Sequence, residues 1–127
     1  SEAAVEGRLF TRGESDKFKG EFAKIIEGIN GTLDAVMEPV NESATVLEEV
    51  AKGNLNIKVQ GQYRGEHAKI KEALNSTIDN LQNYISEISY TLTQIGEGNL
   101  ELSIESEYKG DFIQIKNSLN SIIISLS

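Results

Sequence analysis

Ile70-Lys71-Glu72-Ala73-Leu74-Asn75-Ser76-Thr77-Ile78-Asp79-Asn80-Leu81-Gln82-Asn83-Tyr84-Ile85 opens the stretch that decides the fold. Its apolar positions continue through Ile88, Leu92 and Ile95 in steps of three and four. That rhythm belongs to a helix that turns one apolar stripe toward its neighbours. The extra four-residue step across Ile70, Leu74 and Ile78 is a stutter, which locally unwinds a supercoil. The same stripe is written in Ile25, Ile29, Leu33, Val36, Val40, Leu47 and Val50, and again in Phe112, Ile115, Leu119, Ile123 and Leu126. The expected fold is all-α, a parallel coiled coil. Because each stripe is narrow, a second copy of the chain is expected to cover it, as a homodimer.

Outward from this stretch the chain repeats itself. Phe18-Lys19-Gly20-Glu21-Phe22, Tyr63-Arg64-Gly65-Glu66-His67 and Tyr108-Lys109-Gly110-Asp111-Phe112 recur every 45 residues. The alignment holds through Asn30, Asn75 and Asn120, and upstream Gly53-Asn54-Leu55 matches Gly98-Asn99-Leu100. In the first copy Gly7-Arg8-Leu9 stands one residue further from its motif, so that copy carries a one-residue insertion. A 45-residue period also fits propeller blades and two-helix solenoids. A blade would need four short strands in that span and a solenoid a mid-repeat helix break, and the periodicity provides neither.

Helices are therefore expected from about Gly20 to Ala51, from about Glu66 to Ile95, and from about Asp111 onward. The first two would each be roughly 45 Å long. Glycine at the start followed by Glu66 or Asp111 places a carboxylate where the helix dipole favours it. Gly53 and the Gly96-Glu97-Gly98 run supply the stops. Pro39 lies inside the first long helix, where it removes a hydrogen bond, and it reads as the point where one unit hands over to the next.

The intervening residues alternate Leu55, Ile57, Val59 and Leu100, Leu102, Ile104. Period-two alternation is a strand signal, so short strands are one reading. An extended connector is preferred, because twelve extended residues reach roughly 40 Å, enough to run back along a helix and start the next one parallel to it. Leu55 and Leu100 head the alternation and are expected to hold the connectors down.

Composition narrows the function classes. The formal charge of −8, with no Cys and no Trp, disfavours nucleic acid and anionic membrane surfaces as partners and excludes disulfides and thiolate metal sites. No apolar run is long enough to span a bilayer. The N-terminal Ser1-Glu2-Ala3-Ala4-Val5 lacks a signal-peptide pattern, and the chain reads as a cytoplasmic excerpt of a longer protein. His67 is followed by Ala68-Lys69 and replaced by Phe22 and Phe112 in the other copies, which points to packing rather than phosphotransfer. Glu48-Glu49 reads as a solvated helix face. Gly96-Glu97-Gly98 lacks the context of a nucleotide loop. Asn30-Gly31-Thr32 and Asn75-Ser76-Thr77 match a glycosylation sequon by chance. Asn30, Asn75 and Asn120 each follow a stripe position, so they either face solvent or sit at the core edge and fix register. No catalytic, cofactor or metal site is expected.

These residues resemble the HAMP domain family, linker modules of bacterial chemoreceptors and sensor kinases. The likeness rests on Glu38-Pro39 at the entry to a first helix, Gly53-Asn54-Leu55 closing it, spaced apolar residues in a connector, and the Gly65-Glu66 and Gly110-Asp111 pairs opening a second helix. The run from Tyr108 to Asn120 is similar to the variant in tandem arrays of methyl-accepting chemotaxis proteins. Where the family opens that helix with Asp-Glu-x-Gly, this chain has Tyr-Arg-Gly-Glu or Tyr-Lys-Gly-Asp, and Tyr84 stands at the proline position of the third copy. The resemblance implies a partial unit over 1–38 and full units over 39–83 and 84–127. It further implies a parallel four-helix bundle formed by two chains, which relays helix rotation, tilt or loosening from a sensor to an output domain. The partners it implies are the same chain and the neighbouring domains of a receptor. The competing reading is a passive coiled-coil spacer, which would want uninterrupted heptads and no returning connectors.

Overall fold

The computed structural model describes residues 20–127. The sequence features of the first copy upstream of Gly20, including Gly7-Arg8-Leu9, lie outside the described residues. Three helices follow in order: α1 over Glu21–Ala51, α2 over Glu66–Gly96 and α3 over Phe112–Leu126. No strand occurs among the described residues. The alternating apolar segments are therefore extended connectors rather than β-strands.

The helix ends follow the glycines. After α1, Gly53 takes φ 91°, and after α2, Gly98 takes φ 85°, a left-handed conformation that residues with a Cβ adopt at a cost. The Asn54 N–H donates to the Glu49 carbonyl at 3.0 Å and the Gly53 N–H to Val50 at 2.9 Å. The same pair recurs from Asn99 to Gln94 at 2.9 Å and from Gly98 to Ile95 at 3.0 Å. Both stops are thus Schellman motifs. Gly96 is the last residue of α2 rather than part of the stop. At the starts, Gly20, Gly65 and Gly110 also have positive φ, and Glu66 begins α2. The third start differs from expectation. Asp111 is the N-cap and makes no side-chain capping bond, so α3 begins at Phe112. α1 runs through Pro39 as one helix, with the ring buried.

The described residues divide into two compact units between Ile78 and Asp79, and α2 contributes to both. In unit 1 the core is Val46, Val59 and Ile78, packed by Val50, Leu55, Ile57, Tyr63 and Leu74. The connector leaves the end of α1 at Gly53 and returns until Tyr63 lies beside Glu42. From there α2 climbs back past it, with Lys71 level with Gly61 and Asn75 level with Val59. The two helices of the unit therefore run in the same direction. Unit 2 repeats the path with Ile104, Tyr108 and Leu119 as core, packed by Tyr84, Ile88 and Phe112, and with Ile123 buried as well.

Candidate functional site

Each connector is fastened at three places, and the fastenings recur 45 residues apart. The first is an asparagine on the later helix. The Asn75 side chain accepts from the Val59 N–H at 2.8 Å and donates to the Val59 carbonyl at 3.1 Å. Asn120 treats Ile104 identically, at 2.8 and 3.1 Å. One primary amide thus satisfies both main-chain groups of one residue, as a neighbouring strand would. Of the two readings for these asparagines, the core edge is the right one. What they fix is the connector, whose buried Val59 and Ile104 would otherwise take bare polar groups into the core.

The second fastening is a lysine one turn earlier. Lys71 Nζ donates to the Gly61 carbonyl and Lys116 Nζ to the Ser106 carbonyl, each at 2.7 Å. The third is a carboxylate on the earlier helix. Glu42 accepts from the Gln60 N–H at 2.7 Å, from the Gly61 N–H at 3.1 Å and from the Tyr63 hydroxyl. Glu87 accepts from Ser106 Oγ at 2.7 Å and from the Tyr108 hydroxyl at 2.8 Å. The Tyr63 hydroxyl, with Gln60 and Gly61 N–H groups and the Lys71 charge behind it, holds the Glu42 carboxyl below its ordinary value against a smaller opposing effect of burial. Tyr63 is pushed up to about 12, mainly by its bond to Glu42. Tyr108 is also pushed up to about 12, first by burial and then by Glu87.

The residues singled out in the sequence fall into this frame. Val59 and Ile104 are the buried members of the connectors, while Leu55, Ile57, Leu100 and Leu102 are half-buried. Leu55 and Ile57 pack on the unit 1 core. Leu74 and Leu119 line the helix side, Ile78 belongs to the unit 1 core, and Ile123 is buried further along α3. Leu81 is half-buried. Gly53, Gly65, Gly98 and Gly110 set the turns, and Glu66 pairs with Lys69 in solvent at 3.1 Å. Tyr84, in the place of Pro39, stacks on Phe112 at 4.4 Å between ring centroids and leans on Tyr108 at 4.6 Å. His67 is half-buried at the position where unit 2 has Phe112.

Sequence reasoning did not single out Glu42, Glu87, Lys71 or Lys116. The signal was their recurrence at the 45-residue period. It also missed Asn54 and Asn99, whose side chains accept from the N–H two residues on at 2.9 and 3.1 Å and start each connector with an Asx turn.

Two asparagine-pinned connectors, each between two helices running the same way and recurring every 45 residues, describe one module used twice. A comparison with protein families matches the HAMP domain twice, over residues 17–83 and 73–127. The chain belongs to the HAMP domain family. A comparison with curated proteins gives no match. HAMP domains are signal-transduction relay modules and not catalysts, and this chain carries them in tandem. Among the described residues no helix is long and apolar enough to cross a membrane, and no cluster of His, Cys, Asp or Glu is placed to hold a metal.

Proposed function

We propose that these tandem HAMP units form a parallel homodimer that passes a change of helix packing from a sensor to a downstream domain of a chemoreceptor, on the cytoplasmic side of its membrane. The units are taken as 39–83 and 84–127, preceded by a partial copy over 1–38. One observation carries the reading. While the connectors are fastened to one side of each helix pair, the stripe residues Ile25, Val40, Leu47, Ile70, Ile85 and Leu92 are between 48% and 56% exposed within a single chain. An apolar face of that length calls for a partner of the same periodicity, and a second copy supplies it with two-fold symmetry.

Ile78 packs inside its own chain against Val46 and Val59, so Ile85 and Leu92 are the better probes of the shared face. With single cysteines at Ile85, Leu92 or exposed Asn80, a short bifunctional thiol reagent should join chains at the first two and poorly at the third. Equal crosslinking at all three would remove the parallel dimer. Relay itself is tested by placing the chain between a ligand-responsive sensor and a kinase output. Ligand should change the output, and Asn75→Ala with Asn120→Ala should uncouple it while dimers persist. A passive spacer would transmit nothing in either form.

A further inference from the structure

The two connectors share the asparagine and lysine fastenings to within a tenth of an ångström, yet the carboxylate grips them differently. Glu42 reaches the main chain, taking the N–H groups of Gln60 and Gly61 together with the Tyr63 hydroxyl. Glu87 takes two side-chain hydroxyls, from Ser106 and Tyr108, and no protein group receives the Glu105 and Ser106 N–H groups among the described residues.

The cause is one atom. A Cβ on Gly61 would stand 2.3 Å from the end of the Tyr63 ring and 2.8 Å from the Glu42 carboxylate, so the ends of both side chains, which are the very groups that make the grip, would have to move away. The main-chain grip in this form therefore fits glycine at that position. Unit 2 has serine there. Its Cβ occupies the approach, and the hydroxyl it carries takes the carboxylate instead.

We propose that the residue at positions 61 and 106 decides how each HAMP connector is held to its earlier helix. Glycine locks the backbone to the carboxylate. Serine leaves only side chains, which turn and let go independently. The unit 1 connector is then the firmly held one, and the unit 2 connector is the one that parts from its earlier helix at smaller cost. Gly61 and Ser106 act as positioning residues for the carboxylates. This concerns the local hold alone and stands whether or not the relay reading does.

Amide hydrogen exchange resolved by NMR on the full chain tests it. Gln60 and Gly61 should exchange at least about tenfold more slowly than Glu105 and Ser106 after correction for intrinsic rates. Gly61→Ala should bring residues 60 and 61 down to the level of unit 2, while the Val59 amide, held by Asn75, stays slow and certifies that the unit is folded. Ser106→Gly should slow residues 105 and 106 by at least about fivefold. Equal exchange in the two wild-type connectors overturns the proposal, as does a Gly61→Ala chain that keeps 60 and 61 slow. If Gly61→Ala also loses Val59 protection, the Ser106→Gly result decides, and no slowing there overturns it.

Discussion

Asn75 and Asn120 illustrate how much one polar side chain can organise. Each closes both main-chain groups of a buried connector residue. Truncating one leaves an N–H and a carbonyl unpaired at a core edge, which costs about 1–3 kcal/mol. Asn75→Ala should lower unfolding stability by that amount in urea titrations. Asn75→Asp should recover little, since a carboxylate can accept from Val59 but cannot donate to its carbonyl. The Glu42 and tyrosine bonds set the response to pH. Glu42 has its folded value lowered, so its contribution is complete above about 4.5 and disappears as pH falls through the lower folded value. Tyr63 and Tyr108 are raised from 10.0 to about 12, so their contribution is complete below 10 and is lost as pH climbs from there toward 12. Melting temperature followed across pH should fall at both ends, with Glu42→Gln flattening the acid arm and Tyr63→Phe reducing the alkaline one.

At the scale of elements, the helices were readable in the sequence and the fastenings were not. Heptad steps and glycine stops placed all three helices to within a residue, because apolar spacing is a property of the chain alone. Strand or connector could not be decided from alternation, since Leu55, Ile57 and Val59 would alternate in either. What excludes a ladder is that side chains of Asn75, Lys71 and Glu42 take the connector's main-chain groups, and such pairings are invisible until the helices are side by side. The same fact ranks the connector residues. Ile104→Ala removes a residue that is 3% exposed and should cost about 2–5 kcal/mol, whereas Leu100→Ala, half-buried, should cost clearly less in the same denaturant series. The stops can be tested without touching any packing. An added Cβ at Gly98 would meet nothing within 4 Å, so Gly98→Ala registers only the left-handed backbone, about 1–2 kcal/mol.

For the whole molecule, the apolar face is what the single chain leaves unfinished. Its exposed isoleucines and leucines continue past the cores along every helix, including Ile115 and Leu126 on α3. Light scattering at micromolar concentration should give the mass of two chains. Dilution should lower helicity and mass together, because isolated helices of this polarity are marginal in water. Monomers of undiminished helicity would show that the stripe has no such partner. Here the sequence was informative about periodicity and silent about the stimulus and output, since neither leaves a mark on a helix seam.

The fastenings also bear on how the protein is born. The bonds that fasten the connectors to the helices join residues only 10 to 21 positions apart in the chain. Contacts so close in sequence need little loop closure and form early and fast. During synthesis, all the partners that fasten the unit 1 connector lie at or before residue 75, so they precede every residue of the next connector in the chain. Each repeat can thus wrap its own connector while its successor is still being translated, and a growing array offers the ribosome's surroundings no long unpaired segment to misjoin with the copy ahead of it.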